Sequence, residues 1–194
     1  HLKKSNCDYL FVTAPENISW LLNIRGYDNP TSPITNSFLI ISKNRNIFLI
    51  VEKYKTTRLI NEKKLNKKQI IDPKKISNFF NTLKSGNILI DEKTCSLFLE
   101  KLLKKRFNVV KQEDPIYFLK AIKNNVEINN MIKTHIIDGV ALTKFIYWLK
   151  NKTKFNITEV DAQNKLEKFR KMNKNYLFPS FDTISGAGGN GAIV

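Results

Sequence analysis

Apolar residues fall in two patterns along this chain. In the first half they come as short unbroken runs, and in the second as stripes at helical spacing. Asp8-Tyr9-Leu10-Phe11-Val12-Thr13 reads as a buried strand. Pro15 suits the first turn of a short helix through Leu22, which Gly26 is expected to end before the loop residues Asp28-Asn29-Pro30. The runs Asn36 to Ser42 and Asn46 to Val51 flank Lys43-Asn44-Arg45, which predicts a hairpin with an Asn in the turn. Lys53 to Leu65 reads as a basic amphipathic helix, Gln69-Ile70-Ile71 as a short strand, and Lys74 to Leu83 as a helix that stops at Gly86. Asn87 to Asp91 is a strand. Thr94 to Phe107 is a helix with Leu97, Phe98, Leu102 and Leu103 on one face, and Asn108-Val109-Val110 returns to strand. Strands alternating with helices of this length predict a layered α/β domain.

Pro115 marks the expected boundary, giving domains of 1–113 and 114–194. Ile116 to Leu149 reads as one long helical region with apolar positions at Ile128, Ile132, Ile136, Val140 and Leu142, and with Gly139 as a bend or a close contact. Lys150 to Phe155 is a turn. Thr158 followed by Asp161 resembles a capping box, and the helix behind it is expected to reach about Asn173. The closing stretch, Phe178 to Val194, reads as a strand, a glycine-rich turn and the start of a second strand at Ala192-Ile193-Val194. An unpaired apolar strand needs a partner. The chain is therefore expected to be a piece of a longer protein, and His1-Leu2-Lys3-Lys4 the tail of a helix. There is no internal repeat.

The net charge of +16 brings polyanionic partners into consideration. The lysines are spread along the whole chain, however, and Asn and Ile are also abundant, as in an AT-rich coding sequence. No nucleic-acid motif is present, so the charge reads as a solvated lysine surface. No apolar run reaches the ~18 residues of a membrane span. No signal-peptide pattern opens the chain. Cys7 and Cys95 fit neither a metal knuckle nor a redox pair, and two cysteines in 194 residues suit a reducing cytoplasm.

Three blocks carry a family resemblance. Ile18-Ser19-Trp20-Leu21-Leu22-Asn23-Ile24-Arg25-Gly26 is similar to a signature of the creatinase-like N-terminal domain of Xaa-Pro aminopeptidases. Ala121 to Ile128, running on from Thr134 to Leu142, resembles the first helix of their catalytic domain. Phe178 to Val194 resembles the segment that opens their catalytic sheet. The blocks follow the family's order. The resemblance implies an α/β creatinase/prolidase-type N-terminal domain (1–113), with a mixed sheet and flanking helices and without its first helix. It is followed by the N-terminal part of an α+β pita-bread domain (114–194). It implies a metallopeptidase that releases an N-terminal residue preceding proline, using two divalent cations, manganese being the expected metal, and a bridging hydroxide. The implied ligands, two Asp, one His and two Glu, lie C-terminal to this chain, so the chain alone is expected to be inactive. Peptides with proline second are the implied substrate, and a homodimer the implied assembly. A non-catalytic pita-bread module binding a protein or polyanion, and a related prolidase or creatinase, remain as alternatives.

Arg25 is the side chain best suited to substrate or interface contact, because its guanidinium fork can receive a carboxylate or carbonyl oxygen. A structural salt bridge or loop clamp is the competing role. Trp20 reads as core. His135 and Asp138 lie one helical turn apart, but two ligands make no closed metal site. Gly186-Ala187-Gly188-Gly189-Asn190-Gly191 matches G-x-G-x-x-G but lacks a following helix and a distal acid, so a turn is the better reading. Ser180 and Ser185 have no nearby His, and His1 is terminal.

Overall fold

The computed structural model describes residues 1–151 and 157–192. The chain divides into two compact units. The first takes His1–Asn29 and Pro33–Ile122, and the second takes Pro30–Ser32 and the chain from Lys123 onward.

The first unit is built on six strands: β1 (Tyr9–Val12), β2 (Phe38–Ser42), β3 (Ile47–Ile50), β4 (Ile70–Ile71), β5 (Asn87–Ile90) and β6 (Asn108–Lys111), in the order β4-β3-β2-β1-β5-β6. β2 runs antiparallel to β1 and β3, while β1–β5, β5–β6 and β3–β4 are parallel. Successive side chains of a strand point to opposite faces. Leu10, Val12, Leu39 and Leu89 accordingly enter one core, and Tyr9, Phe11, Ile40, Ile88 and Ile90 the other. Helices cover both faces. Ile18 of α1 (Pro15–Leu21), Leu59 of α2 (Thr57–Asn61) and Ile116 of α5 (Pro115–Ala121) seal the first core. Phe80 of α3 (Ile76–Thr82) and Leu99 and Leu103 of α4 (Leu97–Lys104) seal the second. Edge-to-face rings strengthen that second core, with Phe80 against Phe11 at 5.7 Å and 87°.

The strands fall where the apolar runs place them, but the helices are shorter than expected. α1 ends at Leu21, one residue short of the expected Leu22, and Asn23 (φ 48°), not Gly26, turns the chain out of it. The expected helix from Lys53 to Leu65 is a 3-10 turn (Lys53–Thr56) and five residues of α2, stopped by Lys63 at φ 55°. On α4 the buried apolar positions are Leu99 and Leu103, four apart, whereas Leu97 and Phe98 are exposed. The long helical region expected from Ile116 is broken at Ile122, which is extended (ψ 105°).

The segment 114–122, expected to open the second domain, lies in the first compact unit. Asp114 caps α5 through the Ile116 amide and accepts from Asn17 of α1, and Lys120 donates to Asn17 in turn.

The second unit holds α6 (Asn125–Asn151) and α7 (Glu159–Arg170). Asn124 and Glu127 each donate the main-chain amide to the other's side-chain oxygen at the start of α6, and Thr158 and Asp161 form the expected capping box before α7. α7 ends at Arg170, short of Asn173. α6 runs unbroken through Gly139, and no close neighbour uses that position, since a Cβ there would meet nothing within 4 Å. The turn expected from Lys150 to Phe155 begins inside α6, and 152–156 lie outside the described residues.

The strand expected from Phe178 is not formed. A strand is stable only when its amides and carbonyls find a neighbouring strand, and no strand occurs among the described residues of the second unit. Instead the Glu159 carboxylate holds the glycine-rich segment, accepting from the Ala187 amide (2.6 Å) and the Asn190 side chain (3.1 Å). Gly188–Ala192 close as a 3-10 turn, and Ile193 and Val194 lie outside the described residues.

Candidate functional site

Arg25 lies on the loop after α1, at a pocket of about 450 Å³ in the first unit. The loop is fixed by its own chemistry. Asn23 turns the chain out of α1, and Gly26 lets it cross the 34–35 segment, where a Cβ would fall 2.7 Å from Thr35 Cβ and 2.9 Å from the Ile34 carbonyl oxygen. That crossing sets Asp28 beside its partners: Oδ2 accepts from Thr35 Oγ1 (3.1 Å), the Asn36 amide (2.8 Å) and Lys55 Nζ (2.8 Å). The Lys55 ammonium holds the Asp28 carboxyl below the usual carboxylate range. Burial alone would lower the Lys55 pKa, but hydrogen bonds to Asp28 and Glu52 outweigh it and push it up.

Arg25 is exposed, and its Nη1 donates to the carbonyls of Ile24 (2.8 Å) and Ser19 (3.3 Å). The loop-clamp role is therefore present, made with main-chain oxygens rather than a carboxylate. Ile24, Leu49 and Val51 are the buried apolar residues lining the pocket, and Arg58, Glu62 and Lys64 line it as well. Trp20 is half-buried against the first core.

The fold and this loop fit what comparison with known proteins finds. Residues 1–127 match the creatinase/prolidase N-terminal domain. The chain belongs to that family. Residues 129–194 match metallopeptidase family M24. The whole chain aligns with an Xaa-Pro aminopeptidase of Drosophila melanogaster at 37% identity and with Xaa-Pro aminopeptidase 1 of Dictyostelium discoideum at 33%. It covers 32% and 31% of those proteins. It thus spans about a third of the length of the curated relatives it matches. Among solved structures, the X-prolyl aminopeptidase of Caenorhabditis elegans, described as a cytosolic enzyme with a di-nuclear active site, superposes with a TM-score of 0.77. That match has 24% identity over 94% of this chain and 31% of that one. The prolidase of Pyrococcus furiosus gives 0.60 at 23% identity, over 88% and 47%. These two likenesses speak for the creatinase/prolidase fold.

A di-nuclear centre needs several carboxylate and imidazole donors converging. Among the described residues no group of three or more His, Cys, Asp and Glu side chains does so. Asp138 is engaged elsewhere: Arg170 binds it bidentately, Nε to Oδ1 at 2.7 Å and Nη2 to Oδ2 at 3.1 Å, and holds its carboxyl below the ordinary range. His135 stands exposed one turn away. The described residues of this creatinase/prolidase chain do not assemble a metal site.

The other residues singled out by sequence serve structure. Ser185 Oγ donates to the Glu159 carbonyl. Cys7 and Cys95 are buried free thiols, and burial pushes Cys95 up to about 11. Among the described residues no strand precedes the glycine-rich segment, as dinucleotide binding would require. Sequence reasoning missed the anchoring role of Asp28, because its partner Lys55 is 27 residues away.

Proposed function

We propose that the polypeptide to which this chain belongs is a metal-dependent Xaa-Pro aminopeptidase. It hydrolyses the bond between an N-terminal residue and a following proline. The observation that carries this reading is the alignment of the whole chain, at 37% identity, with a protein of that name, across both matched modules in order. Two divalent cations, manganese in our reading, supply the Lewis acid, held by residues C-terminal to this chain. Proline offers no amide N–H and a fixed φ, so the cleft must be shaped for a kinked substrate. The first unit supplies part of that shape, with Arg25 as a substrate or interface contact. In this reading the domains divide at 113–114, where Asp114 and Pro115 open α5. We further propose a cytoplasmic homodimer.

The test is cleavage of two tripeptides that differ only in proline or alanine at the second position, assayed on the complete protein with and without a chelator. Strong preference for proline, lost on chelation, is the expected result. Equal cleavage of both peptides, or cleavage insensitive to chelation, overturns the reading. Cleavage confined to Xaa-Pro dipeptides would make the protein a prolidase instead. Arg25→Ala, with KM and dimerisation both unchanged, would end the role given to Arg25.

A further inference from the structure

The ionic groups around the first unit's pocket do not cancel. Lys55 pairs with Asp28 and Glu52, and Glu62 receives both Arg58 and Lys64. Arg25 meets two neutral carbonyl oxygens through one nitrogen. Counting these four cations against these three carboxylates leaves one net positive charge, and Arg25 is the cation that enters no ion pair among the described residues. A guanidinium carries five N–H donors in a planar fork that matches a carboxylate, and the Arg25 Nε and Nη2 donors lie outside its two carbonyl bonds. The pocket's buried apolar lining is Ile24, Leu49 and Val51, each no more than 6% exposed. The volume of about 450 Å³ falls among small-molecule sites, which span roughly 300–1,000 Å³.

We propose that this pocket binds the carboxylate of a small ligand bearing an apolar side group, the chemistry of a short peptide's C-terminal residue. The carboxylate takes the open edge of the Arg25 fork, and the side group lies on the aliphatic lining. A monoanion matches the single uncompensated charge. A phosphate dianion would face Asp28 and Glu62 at close quarters, and a polyanion would leave the apolar lining unused. The inference rests on Arg25 being a peptide contact, and it stands apart from the cleavage reaction.

The experiment is calorimetric titration of the full chain with N-acetyl-leucine and with N-acetyl-leucinamide, its neutral isostere. Loss of the charge-assisted fork should weaken the amide by about tenfold or more. Arg25→Gln should remove the preference for the acid, and Arg25→Lys should restore part of it, because the charge returns without the planar fork. Equal affinities, no binding of either compound at millimolar concentration, or an acid preference that survives in Arg25→Gln overturns the proposal. The acid–amide comparison needs no variant, so a misfolded mutant cannot mask the answer. Binding without proline-directed cleavage by the complete protein would sink the catalytic reading alone. Cleavage without binding would sink this one alone.

Discussion

Asn17 Nδ2 donates to Asp114 Oδ2 at 2.7 Å, joining two buried side chains 97 residues apart. Asn17 lies on α1 and Asp114 caps α5, so the bond ties the two helices over the same core. Asn17 Oδ1 in turn accepts from Lys120 at 2.6 Å, and Asp91 Oδ2 accepts the Asp114 amide at 3.0 Å. Asn17→Ala would leave a buried carboxylate short of a donor. The expected loss is about 1–3 kcal/mol of unfolding free energy, read from urea titrations with an unchanged m-value. A loss below the error of the titration would show that water or a neighbour replaces the bond.

The acid limb of stability should carry two components of opposite sign. The Asp28 carboxyl is held below its unfolded value, first by Lys55. Its contribution is full above the unfolded pKa of 3.8 and is lost as pH falls through the lower folded value. Asp114 is raised, chiefly by burial, so the folded state holds its proton more tightly. Its contribution is full below 3.8 and is lost as pH climbs through the raised folded value. Asp28→Asn should therefore flatten the loss of stability below about pH 4, whereas Asp114→Asn should remove the stability gained as pH falls toward about 4 from above. Thermal melts between pH 2.5 and 6 check both, and a variant pair moving the limb in the same direction would refute the assignment.

The strands were legible because their apolar runs are short, continuous and bounded by Gly, Pro and Asn. Ile88-Leu89-Ile90 is short, rich in β-branched Ile and bounded upstream by Gly86, which favours a strand over a buried helix segment. Helix ends were less legible: Asn23 is of a type that takes positive φ readily, but Lys63, which stops α2 the same way, is not. The Thr158–Asp161 box was legible because its partners are three residues apart. Asp28, Asn17 and Asp114 were not, because their partners lie 27 to 97 residues away. Arg25 was found from its motif, yet its bonds to carbonyls follow from the turn at Asn23, which only the folded chain shows.

Two glycines make a matched test of that loop. At Gly26 an added methyl would fall 2.7 Å from Thr35 Cβ and 2.9 Å from a main-chain oxygen, so main chain must move. Gly26→Ala should cost about 1–3 kcal/mol. It should also disturb any binding that depends on Arg25. At Gly139 the same methyl meets nothing, within a 27-residue helix. Gly139→Ala should add about 0.5–1 kcal/mol by helix propensity. Differential scanning calorimetry separates the two, and equal shifts of melting temperature would discount the close crossing at residues 34–35.

The exposed face of α6 gives the last prediction. Ile132, Ile136 and Val140 recur every fourth position and are 53%, 63% and 51% exposed. Met131, Ile128 and Tyr147 add further open apolar surface on the same helix. A contiguous apolar stripe of this kind associates with another surface in water, because burying it removes apolar area from solvent. The high net charge of +16 opposes that association only while salt is low, since screening shortens the repulsion. The 194-residue chain should therefore self-associate increasingly as salt is raised. Ile132→Glu combined with Ile136→Glu should keep it monomeric and reduce binding of an apolar dye. Sedimentation velocity at low and high salt reads the first effect and dye fluorescence the second. A chain that stays monomeric at high salt, with dye binding unchanged by the double substitution, would show that this face does not drive association.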